Sequence, residues 1–464
     1  MYLFYKNVYI IEGVSLLSTK FAHMGKSIFN EKNVQLTASK TGFYKRSGGI
    51  KPIEFFDMLM VSASKWTHQS LDKVNSFLFD QFGLCKTKAG INKRFNTSSV
   101  SFMQSIFTQT LSAQIEQPVF TDIFLSEFKL FKIKDSTRFA LPECMEDCFK
   151  GYSGDSGKSC VSIQYEYDFK SGKILDVELT DGVQNDHVDA RLKTDDIKQG
   201  DFILRDLGYV ATDILEKTIK QGASFVCRLN TNIAVFNSLK ERISFTKIYE
   251  QMKSKGLNQL DLKVLIGHGK FFPIRMVLSI VPEDVYEKRI RKIETKSGRR
   301  GYKTSKETKT RNRFTIFITN IDSSKASIDD VVQLYKLRWQ VELCFKHWKS
   351  IYRIHEVPKM KKERFLCLLY AKLIIIVLNQ QLIYGMRNLL FKTQKRLLSI
   401  EKCVKTLKEL FDRLYAAFRI KKQKQSNKLI AQTLSLFEFN HWLDAKKNKT
   451  GTGQIIRYNY LYIK

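Results

Sequence analysis

One stretch of this chain restricts its fold more than any other. Between about Glu127 and Leu229 the hydrophobic spacing becomes strand-like: EFKLFKIKD, CVSIQYEYDF and KILDVELTDG each read as extended chain bounded by turn residues. A charged helical stretch, HVDARLKTDDIKQ, follows, and then a short apolar strand, FILRD. A helix, ATDILEKTIKQG, and another strand, SFVCRL, complete the series. Three hairpin-like strands followed by alternating helix and strand are expected to form a mixed sheet with flanking helices.

A ribonuclease-H-like α/β core has this order, and the flanking sequence is read around it. From Pro52 to Leu111 the period is helical, giving four short helices. The second and third are joined by GLCKTKAG and followed by NKRF, which resembles a helix-turn-helix carrying Lys93 and Arg94 toward DNA. A plain basic surface helix is the alternative. Downstream, LDLKVLIG and FPIRMVLSIV read as strands of a mainly β insertion, and RFTIFITN as the last core strand. Between them, residues 286–313 hold twelve Lys or Arg, Arg299 and Arg300 among them, against three Glu. Such a run is solvated by itself and becomes ordered against phosphates beside a nucleic-acid site.

The expected partition is an extension at 1–40 whose order the sequence leaves open, a helical DNA-binding domain at 41–115 and a first core segment at 120–235. A β-rich insertion with the basic stretch follows at 236–313, then the rest of the core at 314–385 and a basic helical region at 386–464. The apolar run 365–378 is interrupted by Lys372 and is shorter than the ~20 residues a bilayer span needs, so it reads as a buried core helix.

Charge narrows the partner. With 78 Lys and Arg against 46 Asp and Glu, the 464-residue chain carries a formal +32, which points to a polyanion, nucleic acid before membrane. Eight scattered cysteines fit reduced core thiols in a cytosolic protein; Cys144, Cys148 and Cys160 lack the second pair that a zinc set requires. The turn GYSGDSGKS at 151–159 has Tyr152 where a phosphate-cradling loop needs glycine.

Asp135 stands where FKLFKIK runs out, and Asp206 ends FILR just before a helix. If those two strands are neighbours, the carboxylates converge, and convergent carboxylates call for a cation such as magnesium or manganese. Each Asp taken singly reads first as an ordinary cap or turn residue. Glu342 supplies a third candidate. It lies in LYKLRWQVELCFKHWK (334–349), which as one helix places Tyr335, Arg338, Glu342 and Lys349 within about 60° of arc. A salt-bridged surface stripe is the alternative.

The spacing Tyr335, Arg338, Glu342, Lys349 matches the Tyr-Arg-Glu-Lys signature of the DDE transposases of bacterial insertion-sequence family four. KIKDST around Asp135 and LRDLGY around Asp206 resemble that family's other landmarks, so the resemblance spans about residues 40–380. It implies a metal-dependent enzyme in which Asp135, Asp206 and Glu342 hold two Mg2+ or Mn2+ ions. It further implies that Tyr335, Arg338 and Lys349 contact the phosphate beside the transposon end. Trp339 reads either as a base-stacking residue or as a core tryptophan. The implied partners are double-stranded terminal inverted repeats and target DNA, met by a homodimer on paired ends in the bacterial cytoplasm at the nucleoid, with no membrane. The competing functions are an inactive DNA-binding remnant and a nuclease that cuts without joining.

Overall fold

The computed structural model describes residues 2–443, apart from 46–48, 66–69, 117–122, 153–156, 231–232, 268–269 and 395. The centre of the turn 151–159 and the end of the basic C-terminal region therefore lie outside the described residues. The chain forms two compact units: Met1–Leu125, Ser136–Gln184 and Glu342–Lys464 make the first, and Ser126–Asp135 with Asn185–Val341 the second.

Among the described residues there are nine strands: β1 Phe131–Ala140, β2 Cys160–Asp168, β3 Ile174–Asp181, β4 Phe202–Arg205, β5 Ser224–Arg228, β6 Val235–Phe236, β7 Gln259–Ile266, β8 Phe272–Ile280 and β9 Phe314–Thr319. In the second unit their order is β1-β4-β5-β9-β8-β7-β6. β1, β4 and β5 run parallel to one another, whereas β9, β8, β7 and β6 join by antiparallel pairing. In the first unit β2 and β3 form an antiparallel pair, and β2 neighbours β1, the strand whose residues belong to both units. The sheet is thus mixed, and the fold is mixed α/β. Helices Thr212–Lys220 and Ile328–Lys336 pack on β5, and Leu215 of the first joins a core that includes Ile203, Phe225, Met276, Leu278 and Ile318.

The first unit is mainly helical, and its helices begin where capping side chains allow. Ser70, Thr87 and Asn96 each accept a backbone N–H at the start of Leu71–Phe82, Lys88–Arg94 and Thr97–Ser112. Gly83, at φ 67°, ends the first of these in the left-handed conformation that glycine adopts without a Cβ penalty. The long helix Lys362–Gln394 is apolar enough by composition to cross a membrane, yet 89% of its most apolar window is buried against its neighbours. Those neighbours include Pro52–Lys65 and Thr97–Ser112.

Three features differ from the sequence reading, and a fourth, at residues 1–40, concerns what the sequence leaves open. β1 does not stop at Asp135 but continues to Ala140, because Thr137 and Phe139 keep the inward alternation going. Residues 1–40 form helices Tyr2–Phe29 and Glu31–Lys40, the first burying Ile10, Val14, Leu17 and Phe21 on one stripe. The basic stretch is largely two helices, Glu283–Arg299 and Lys306–Arg311, rather than strand or open coil. Last, 334–349 is not one helix. Ile328–Lys336 ends and Trp339–Ser350 begins across a turn at Leu337–Arg338. There the amides of Leu337, Arg338, Gln340 and Val341 each reach back three residues. Such a turn advances ~120° per residue instead of ~100°, so angles counted along one continuous helix do not hold.

Candidate active site

Strand periodicity explains where the two aspartates meet. In β1, Lys132 and Lys134 face one side of the strand, and Phe131, Ile133 and Asp135 the other. In β4 the parallel register sets Phe131 against Phe202, Ile133 against Leu204 and Lys134 against Arg205. The next step along both strands is Asp135 and Asp206. Because paired residues of parallel strands point to the same face and neighbouring strands lie ~4.8 Å apart, the two carboxylates emerge side by side past an apolar floor. That floor includes the stacked rings of Phe131 and Phe202, 4.4 Å between centroids. The opposite face is fixed by two buried ion pairs, Lys132 with Asp201 and Lys134 with Asp189, both 2.7 Å.

Both carboxylates meet one guanidinium. Arg338 Nη1 donates to Asp135 Oδ2 at 3.1 Å, and its Nε lies 3.7 Å from Asp206 Oδ1. Arg338 comes from the turn between the two helices, and its side chain is 16% exposed. The Tyr335 hydroxyl makes a long contact of 3.5 Å to Asp206 Oδ1. Its ring packs on Phe317 of β9, and burial pushes its pKa up to about 12, so it remains a donor. Arg228, at the end of β5, lies over the same ring at 5.6 Å. The sequence reading passed over Arg228; the signal was a cation closing an apolar strand, SFVCR, in the same sheet.

The other predicted residues are placed as follows. Glu342 is half-buried on Trp339–Ser350, in the first unit. In that unit Lys349 Nζ donates to the Arg138 carbonyl of β1 at 3.0 Å, and burial lowers its pKa. Trp339 is 49% exposed and so is not a core residue, whereas Trp348 is buried against Tyr165 at 4.8 Å. Lys93 is exposed, but Arg94 turns inward, donating to the Ile50 carbonyl at 3.0 Å with its guanidinium over Phe43. Arg299 and Arg300 are exposed at the end of their helix.

Two carboxylates from neighbouring parallel strands, Asp135 within β1 and Asp206 just past β4, with an arginine and a tyrosine on a mixed sheet with flanking helices, are consistent with a DDE-type domain. Residues 127–378, more than half of the chain, match the family described as Transposase DDE domain, and the chain belongs to that family. Within it, the chain is similar to transposases of insertion-sequence elements. That for IS231F of Bacillus thuringiensis subsp. israelensis is 30% identical, with 77% of this chain and 78% of the relative covered. Those for IS231B of Bacillus thuringiensis subsp. berliner and IS1151 of Clostridium perfringens are 25% and 27% identical. They cover 98% and 93% of this chain, and 98% and 95% of their own lengths. The family implies a DNA-cleaving enzyme with DNA as its substrate, and such domains generally use divalent metal. Asp135 and Asp206 fit that requirement. Their donors are oxygen only, and they share one face and already share one cation.

Proposed function

We propose that this chain is the transposase of an insertion sequence, binding terminal inverted repeats and catalysing cut-and-paste transfer of the element. The convergence of Asp135 and Asp206 on the Arg338 guanidinium carries the reading, because a site built for a phosphodiester needs adjacent acceptors for metal and donors for phosphate. Asp135, Asp206 and Glu342 are the residues that would hold Mg2+ or Mn2+, two ions per site. Bound there, the ions would supply Lewis-acid stabilisation of charge on the phosphoryl oxygens and the leaving oxygen. Tyr335, Arg338 and Lys349 are all donors and would hold the phosphate beside the element end, with exposed Trp339 stacking on a displaced base.

In this reading the helices from Pro52 to Ser112 and the basic helix Glu283–Arg299 track DNA, two copies of the chain pair two ends, and the protein works at the bacterial nucleoid. The test is purified protein with a labelled element end, target DNA and magnesium. Joined product supports transposition, cleavage alone a nuclease, and binding without cleavage an inactive remnant. Glu342→Gln is expected to leave end binding nearly intact in a mobility-shift assay while abolishing cleavage. Equal loss of both would remove the metal-ligand role.

A further inference from the structure

We propose that Arg338 is a built-in counterion that keeps metal affinity at Asp135 and Asp206 low in the free protein. The proposal rests on the reading of these two residues as metal ligands. Its basis is the position of the guanidinium, within 3.1 Å of one carboxylate and 3.7 Å of the other, on a side chain only 16% exposed.

The position is held from behind. Arg338 leaves the backbone inside the tight turn between two helices, where its own amide bonds to the Tyr335 carbonyl and its carbonyl accepts from Val341. An arginine stays protonated at any working pH, so this is a permanent positive charge. A divalent cation entering the site needs the same carboxylate oxygens and meets that charge at close range. Each carboxylate keeps other lone pairs, so ligation is not blocked; it is opposed by repulsion and by the orientation the arginine imposes.

Phosphate is the anion that relieves the opposition, since a guanidinium pairs with phosphate oxygens as well as with carboxylates. Arg338 therefore links two events: while it rests on the aspartates their charge is partly neutralised without metal, and when it moves to a DNA phosphate the carboxylates become free to ligate. The residue acts through Asp135 and Asp206, as a positioning residue that sets the order of loading.

The experiment measures Mn2+ binding to the full-length protein without DNA, following free Mn2+ by electron paramagnetic resonance. Arg338→Gln is expected to bind Mn2+ on the order of tenfold tighter than wild type, and Arg338→Lys, which keeps the charge, to stay within about threefold of it. Adding Asp135→Asn to Arg338→Gln should abolish the gain. A second readout covers any loss of stability from two facing carboxylates: Mn2+ should raise the melting temperature of Arg338→Gln more than that of wild type. Binding to Arg338→Gln no tighter than wild type, yet still dependent on Asp135, would overturn the counterion role and leave the metal-ligand reading standing. Binding indifferent to Asp135 in both backgrounds would overturn the two together.

Discussion

Lys134 shows how much of the site depends on a residue that never touches it. Its side chain is fully buried and paired at 2.7 Å with Asp189, whose side chain is 1% exposed. It immediately precedes Asp135, so the pair fixes the rotation of β1 that turns Asp135 to the opposite face. Removing one partner of a buried pair leaves an uncompensated charge, so Lys134→Met is expected to cost about 3–5 kcal/mol in denaturant unfolding. Lys134→Met with Asp189→Leu should recover most of the loss; no recovery would mean that the pair is not what the mutation disturbs. At this scale the alternation that sets the facing of both aspartates was legible, because it is a local property of the sequence; the end of β1 was not, since Thr137 and Phe139 carry the strand on past Asp135. The inward turn of Arg338 and of Arg94 was not, because each depends on acceptors far away in the chain: Asp135 and Asp206 for one, Ile50 for the other. Sequence spacing says that a guanidinium is near a face; it does not say which acceptor claims it.

At the scale of elements, the helices between Pro52 and Ser112 could be read almost to their ends, since Ser70, Thr87, Asn96 and Gly83 mark them chemically. The break at Leu337–Arg338 carries no proline or glycine, and helical periodicity runs straight through it. Only the packing on either side requires it: Leu334, Tyr335 and Leu337 are buried before it and Val341 after it. The helix beyond the break also holds a titratable group. His347 is buried, and desolvation lowers its pKa. An unfolded imidazole, with pKa near ~6.5, then takes up a proton more readily than the folded one. The sign follows: stability is kept above that value and lost as pH falls from it toward the depressed folded value. Between about pH 7.5 and about pH 5, wild type should therefore lose more melting temperature than His347→Gln. Parallel losses in the two proteins would show that the imidazole is not a source of the acid sensitivity.

For the whole molecule, the largest fact in the sequence was charge, and its use depends on where folding puts it. The formal +32 does not say which surface meets DNA. A composition-based reading of residues 286–313 offers a solvated run that orders against phosphates but assigns it no helix, because charge density alone does not distinguish coil from helix. In the structure Arg289 and Arg311 turn inward to backbone carbonyls, at Asn312 and Phe314 and at Asn230 respectively. Lys292, Lys296 and Arg299 instead fall at i, i+4 and i+7 of Glu283–Arg299, exposed, with Arg300 at its C-cap. This turns a diffuse basic run into one stripe with a defined spacing. Counterion release gives that stripe a measurable signature: log K for DNA falls with log salt by roughly 0.9 per neutralised phosphate. Replacing Lys292, Lys296, Arg299 and Arg300 by glutamine should flatten the slope by up to about 3–4, the same for any duplex sequence, because phosphates carry no sequence information. The same replacements at Arg289 and Arg311 should destabilise the fold and leave the slope nearly unchanged. An unaltered slope in the fourfold variant would place the DNA path on another surface.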